Sequence, residues 1–467
     1  MIKIREFHKA SPWPPEDFQE VYEKYEEHSA WYSGCPLRLA DYYAGRVYSP
    51  TVPGSFWARQ VNSEVSTRLR VPVASDLAAL SSDLLFSKPL ITTCENQGAQ
   101  KRLEEIKSLG DVNSVLLEAG EFCAALGGVF LKVNWDSTVA DYPILSVVQP
   151  DNALSYFKFG KLVSAIFFKT VLTEDTLHFR LLEEHVKGYI YYSLYRGTED
   201  KIGQKISIKS LPETAELEEV LPTGLNKLAC CYIPNMKPNR LFRGYELGQS
   251  DFAGVEGLMD ALDSVYTSWL RDVELAKSRI IVPETWVDTD GAFDSQREVF
   301  TTLDIDPVNA DNLGVTMNQF EIRAQSHRDT ALELLDRIIT HAGYSPQTFG
   351  LKIEGRAESG TALNIRERKT FTTRSKKTGY WKTGLEDMFY VLLAIDNTKL
   401  GGRTEAERPN VEFQNPYLNI EETASTISAL KSAEAASTET RVRLLHPDWK
   451  ESQIQKEVQA IQSERGL

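Results

Sequence analysis

Arg366, Arg368, Lys369, Arg374, Lys376, Lys377 and Lys382 fall within the 31 residues Ser359–Phe389, beside three acids, in a chain whose formal net charge is −14. Such a cluster can bind phosphate, line a path for nucleic acid, meet an acidic face of another subunit or simply solvate a helix. On a helix these side chains spread over most of the circumference, which leaves the four uses open. The stretch before it, "SPQTFGLKIEGRAESG", carries three glycines and one proline. It reads as a loop long enough to have a function of its own, with Lys352 and Arg356 able to touch phosphate transiently.

Other chemistry is sparsely supplied. The loop lacks GxxxxGK[ST], so it is no Walker A phosphate cradle. Ser359 lacks the strand-borne GxSxG elbow of a nucleophile and reads instead as the N-cap of the next helix. The seven histidines are scattered, without HxxxH or HExxH, and His327 and His341 stand at opposite ends of one helical stretch. No metal and no cofactor are expected. Five cysteines, an odd number with no CxxC pair, imply reduced thiols.

The elements that must carry these residues follow from length and patterning. A chain of 467 residues fits about two to four domains. The 66 acidic residues outweigh the 52 basic ones, which excludes a protein that wraps DNA over its whole surface. An acidic wall along which a polyanion slides stays compatible. The start, "MIKIREFHKASPWPP", has no apolar signal core, and no apolar run approaches the ~20 residues of a membrane helix.

Phe18, Val21, Tyr22, Tyr25 and Tyr32 recur at helical spacing, with Glu16, Asp17, Glu20, Glu23, Glu26 and Glu27 assigned to the other face. "VPVASDLAALSSDLLFSKPL" gives a second helix stopped before Pro89. "DVNSVLLEAGEFCAALGG" gives a third, with Asp111 as its N-cap and Gly127-Gly128 as its stop. From Gly128 to about Ile233 short Val-, Ile-, Phe- and Tyr-rich runs between Gly, Pro, Asn and Asp suggest an antiparallel meander. A long helix follows, with Val255, Met259, Leu262, Val265, Trp269 and Val273 on one stripe and a charged opposite face. An insertion from Ile281 to about Arg323 carries nine acids against two arginines. A return helix then ends at Gly343. The basic helix runs through Leu393, its later half a core-facing stripe of Trp381, Leu385, Met388, Phe389 and Leu392. The tail is helical, with Ile454, Val458 and Ile461 as a narrow apolar seam.

This order of parts resembles the portal (head–tail connector) protein family of tailed bacteriophages, siphophage type. The resemblance rests on the helix "SGTALNIRERKTFTTRSKKTGYW" preceded by "GYSPQTFGL", and on "FQNPY" followed by an Ala/Ser/Glu helix and "HPDW". It implies an α+β, mainly helical subunit with a β-rich wing and long helices. The wing would be residues 1–249, β-rich over 128–233. Stem helices would be 250–277 and 325–348, with a clip at 278–324 between them. A tunnel loop would span 349–360, a long helix at 361–411 would join wing and crown, and the crown would be 412–467.

The same resemblance implies a ring of about twelve subunits at one capsid vertex of the virion, assembled in the host cytoplasm. Double-stranded DNA would be packaged and ejected through its channel. Partners would be further copies of the chain, the terminase large subunit, a head–tail connector or adaptor, and the major capsid and scaffolding proteins. No membrane and no catalytic residue are implied. Tunnel-loop contacts with DNA would come from Lys352, Glu354, Gly355, Arg356, Glu358 and Ser359. Arg366, Arg368, Lys369, Arg374, Lys376 and Lys377 would meet neighbouring subunits. Glu284, Asp288, Asp290, Asp294, Asp304 and Asp306 would form the docking surface of the clip. The competing reading is a soluble multidomain nucleotide-binding enzyme with the glycine-rich loop as its phosphate cradle. The missing Walker lysine and the scattered histidines weigh against it.

Overall fold

The computed structural model describes residues 6–44, 55–58, 68–276, 279–281, 316–318, 322–351, 360–414, 420–446, 449 and 451–464. The fold is α+β, with eleven α-helices and thirteen strands among the described residues. The chain divides into two compact units, one of Met1–Gly34, Pro72–Gly254 and Ile339–Leu467, the other of Cys35–Val71 and Val255–Ile338.

The larger unit begins with α1 (Gln19–Tyr32), followed by α3 (Val73–Phe86), α4 (Gln97–Leu109) and α5 (Val112–Leu126). β1 (Ile91–Thr93) lies between α3 and α4 and pairs with β13 (Asn410–Glu412). Gly127, at φ +84°, ends α5 where an added Cβ would lie 2.8 Å from the Gly248 carbonyl oxygen. Asp111 does occupy the N-cap position of α5, but its backbone is left-handed (φ 42°) and its side chain makes no capping hydrogen bond. Glu27, assigned to the outer face of α1, is buried instead and accepts from Lys24 Nζ at 2.6 Å.

The strand-rich middle forms two sheets. β2 (Gly128–Asn134) is flanked by β3 (Ile144–Val148) and β10 (Cys230–Pro234). The second sheet is the expected antiparallel meander of β4 (Ala153–Lys158), β5 (Lys161–Glu174), β6 (Leu177–Val186), β7 (Tyr189–Thr198) and β8 (Lys201–Ile206). β9 (Val220–Pro222) pairs with the first residues of β7. Phe130 of β2 meets Phe167 of β5 edge-on at 5.4 Å. Beside them Lys132 of β2 donates to Glu183 of β6 at 2.7 Å, and His185 Nε2 lies 2.6 Å from the same carboxylate. Burial pushes Glu183 up, but His185 and Lys132 outweigh it and hold the carboxyl at about 2. Another meander cluster (Leu154, Ile166, Leu182, Tyr195 and Ile202) packs with Trp13 and Phe18.

Helix α8 (Gly360–Lys399) is the spine of this unit and extends beyond Leu393. Its Trp381, Leu385, Met388, Phe389 and Leu392 are buried in one cluster with residues of α3, α4, α5 and β2. The tail follows as α9 (Ile420–Ser432), α10 (Thr438–Leu445) and α11 (Glu451–Glu464). Val442 packs with Ile454 and Val458, and Ile461 and Trp449 lie against them.

The smaller unit holds α2 (Pro36–Tyr43), α6 (Glu256–Leu275) and most of α7 (Ala324–Ala342), with β11 (Arg279–Ile281) paired to β12 (Thr316–Asn318). The opposite face of α6 is not simply charged and solvated. Asp260 and Asp263 are buried because residues 55–57 and 68–71 cover them. Asp260 accepts from Ser55 Oγ at 2.5 Å and the Phe56 amide at 2.7 Å. Asp263 accepts from Trp57 Nε1 at 3.0 Å and the Val71 amide at 2.8 Å, and pairs with Arg70 at 3.3 Å.

Candidate functional site: the turn after α7 and its anchor on α8

Gly343, at φ +98°, ends α7, a conformation that favours glycine. The chain then makes a short 3-10 turn over Pro346–Phe349, and Gly350 closes it at φ 73°. It re-enters the described structure at Gly360, the first residue of α8. Threonines of α8 hold the near side of this connection. The Ser345 amide donates to Thr370 Oγ1 at 2.9 Å, Thr348 and Thr370 share a hydroxyl bond at 2.9 Å, and Thr373 Oγ1 donates to the Gly343 carbonyl at 2.6 Å. Lys369 Nζ donates to the Thr340 carbonyl.

Beneath these bonds lies a buried ionic network. Lys377 Nζ is 2.6 Å from Asp251 Oδ2 and 2.8 Å from Oδ1, and also reaches Ser81 Oγ at 2.6 Å and Tyr344 Oη at 2.9 Å. Tyr344 donates to Asp251 Oδ2 at 2.6 Å, and Asn235 Nδ2 donates to Oδ1 at 2.7 Å. Burial, together with the neighbouring Asp251 charge, pushes the Tyr344 phenol far up, so it stays a donor. A buried pair is tolerable only when its remaining donors and acceptors are also bonded, and here they are. The network joins α3, the turn before α6, the segment after α7 and α8, all within the larger unit. The near end of the connection, from Gly343 to Thr348, is thus tied through α8 to the core.

The basic residues of α8 divide by what they face. Arg368 and Lys376 are exposed and make no side-chain hydrogen bond or ion pair among the described residues. Lys369 is exposed as well. Arg374 is half-buried and is spent on its own chain, donating from Nε to the Leu84 carbonyl at 2.7 Å and from a terminal nitrogen to the Gln414 carbonyl. Lys377, expected at a subunit contact, is 1% exposed and satisfied inside its own chain, so it is corrected to an internal anchor. The side chain of Arg366 lies outside the described residues. So do Lys352, Glu354, Gly355, Arg356, Glu358 and Ser359 of the expected tunnel loop, and Glu284, Asp288, Asp290, Asp294, Asp304 and Asp306 of the expected clip.

Among the described residues no group of histidine, cysteine or carboxylate side chains is arranged to hold a metal ion, and no helix is long and apolar enough to cross a membrane. The described geometry anchors the turn at Pro346–Phe349 against α8. Its chemistry is hydrogen bonding and charge.

The family model "Phage portal protein, SPP1 Gp6-like" matches residues 22–466, nearly the whole chain. The chain belongs to this phage portal protein family. No curated protein matches the portal chain. Among solved structures, it is similar to a chain from the neck of a native gene transfer agent particle computed with C12 symmetry, at 11% identity and a TM-score of 0.46, covering 94% of this chain and 96% of that one. A chain from the virion of the native gene transfer agent particle gives 12% identity and 0.42, covering 94% and 96%. One from the neck of the empty particle, computed with C6 symmetry, gives 12% and 0.43, covering 93% and 94%.

Proposed function

We propose that this portal-family chain forms a ring at one capsid vertex of a phage-like particle, and that double-stranded DNA is packaged and ejected through the channel of that ring. The observation that carries the reading is the family match over residues 22–466. In this role the chain performs no covalent step. The terminase large subunit docks on the ring and supplies the ATP chemistry, a head–tail connector docks on the clip, and the major capsid and scaffolding proteins surround the wing during assembly in the host cytoplasm.

The anchored turn after α7 supports a division of labour. The tunnel loop, residues 349–360, meets DNA through Lys352 and Arg356, with Glu354, Gly355, Glu358 and Ser359 beside them. Two cations release few counterions, so such a loop touches a sliding polyanion without holding it. Force on the loop passes through Thr370, Thr373 and the Lys377–Asp251 network into the helical core. The acidic clip residues, Glu284, Asp288, Asp290, Asp294, Asp304 and Asp306, offer a docking surface that does not bind DNA. The exposed α8 cations, Arg368, Lys369 and Lys376, face a neighbouring subunit.

Particles assembled with an epitope-tagged chain test this reading by electron microscopy. The tag should appear at a single vertex of each particle. Tags at every vertex, or particles that fill with DNA when the chain is deleted, would contradict it.

A further inference from the structure

A ring built from identical subunits needs a head-to-tail contact between two different faces of each subunit. The larger unit has two faces suited to this. Arg368 and Lys376 are exposed on α8 with no acidic partner among the described residues, and Thr372, Ser375 and Gly379 continue their stripe as small exposed residues. At 100° per residue, Arg368 points about 180° away from Lys377, the residue that reaches α3 through Ser81.

The other face lies on α3 and α5. Asp83 and Glu118 are exposed, and neither side chain has a hydrogen-bond or ion-pair partner among the described residues. Glu121 beside them accepts from Tyr32 Oη at 2.7 Å. The acids are close enough to disturb one another and their neighbour. Partial burial and then Glu121 raise the Asp83 carboxyl, and burial, Glu121 and Glu118 raise the Tyr32 phenol. Asp83 points about 200° away from Ser81, and so away from α8. Ser82, between them, donates to the Leu117 carbonyl of α5 at 2.6 Å, which fixes the rotation of α3. By helical phase Arg368 and Asp83 therefore face away from the Lys377–Ser81 contact, with Lys376 about 100° round from it.

We infer that the α8 face of one copy, through Arg368 and Lys376, docks on the α3–α5 face of the next copy, through Asp83, Glu118 and Glu121. This rests on the ring reading above and names the surface that the basic helix meets. Opposite charges on different faces favour an open-ended head-to-tail contact over a two-fold one, and two like faces repel.

Charge reversal with native mass spectrometry tests it on the full chain. The wild type is measured first, and a monomer that persists at high protein concentration and with capsid and scaffolding proteins present overturns the ring reading itself. Given rings, Asp83→Lys with Glu118→Lys should lower the ring fraction about tenfold or more at moderate salt, and so should Arg368→Glu with Lys376→Glu. Each variant should keep the wild-type thermal midpoint, since all four positions are exposed. Mixing the two variants should restore rings of alternating subunits, and so should all four changes in one chain. Wild-type ring fractions for both variants would overturn the contact and leave the ring reading standing. Failure of the folded variants to rescue one another would also overturn it. Unchanged rings that lose DNA only with the α8 reversal would assign that face to nucleic acid, again against the proposal.

Discussion

Lys377 Nζ lies 2.6 Å from Asp251 Oδ2 with the two side chains 2% and 0% exposed, and the pair closes a span of 126 positions in the chain. One basic residue of a helix that also carries exposed cations is thus turned inward, bonded to Tyr344 just before the turn at Pro346–Phe349. Through Tyr344 the pair ties the middle of α8 to the segment that follows α7.

Lys377→Ala should destabilise the chain by about 3–5 kcal/mol, because Asp251 stays buried without its cation. The loss from Lys377→Met combined with Asp251→Leu should be smaller than the sum of the two single losses, since the pair is one unit. Urea unfolding of the four proteins checks this. Strict additivity would show that the two residues do not act on each other.

Much of this architecture is readable in the residues. The meander follows from the short Val-, Ile-, Phe- and Tyr-rich runs set between turn residues from Gly128 to Ile233, and the buried stripe from Trp381 to Leu392 follows from three- and four-residue spacing. Lys377 was not readable by the same rule, because a charge on a helix is ordinarily a solvated one. It does lie in phase with Thr370, Thr373, Trp381 and Leu385, all of them buried. Following that stripe one turn further back is the signal that would have placed it inside. Asp251 carries no local mark, because its partners Ser81, Asn235, Tyr344 and Lys377 come from distant segments. The burial of Asp260 and Asp263 is hidden for the same reason, since residues 55–57 and 68–71 supply the cover.

Glu183 predicts a defined acid limb. Its carboxyl is held at about 2 in the folded chain, against an ordinary value of 4.5. The folded state therefore binds fewer protons than the unfolded state over this window. The stability that Glu183 contributes is fully present above its ordinary value and is lost as pH falls through about 2. Glu183→Gln should flatten the pH dependence there, by at most about 3 kcal/mol. Urea midpoints measured across the acid range would read the difference, and an unchanged slope would refute the assignment.

Asp263 predicts the opposite sign in the smaller unit. Burial pushes its carboxyl up to about 6, against Arg70, the Val71 amide and Trp57, which pull it down. Here the folded state binds more protons, so the contribution is greatest at low pH and is lost as pH rises through about 6. The Val71 amide donates to this carboxylate. Its hydrogen-exchange protection, corrected for intrinsic rate, should drop roughly tenfold between about pH 5 and pH 7, and Asp263→Asn should abolish the drop. Protection that rises with pH in the wild type would contradict the sign.

Lys352→Ala with Arg356→Ala should leave assembly and thermal stability intact while reducing the DNA packaged or retained per particle. Quantifying encapsidated DNA in particles carrying the double variant checks it. Normal DNA content would remove the loop from the path of the nucleic acid.

The most direct test of the central claim is the native mass of the purified chain, read beside negative-stain images. The account predicts a closed ring of about twelve copies with an open centre. A stable monomer or two-fold dimer, unchanged at high protein concentration and in the presence of capsid and scaffolding proteins, would contradict it.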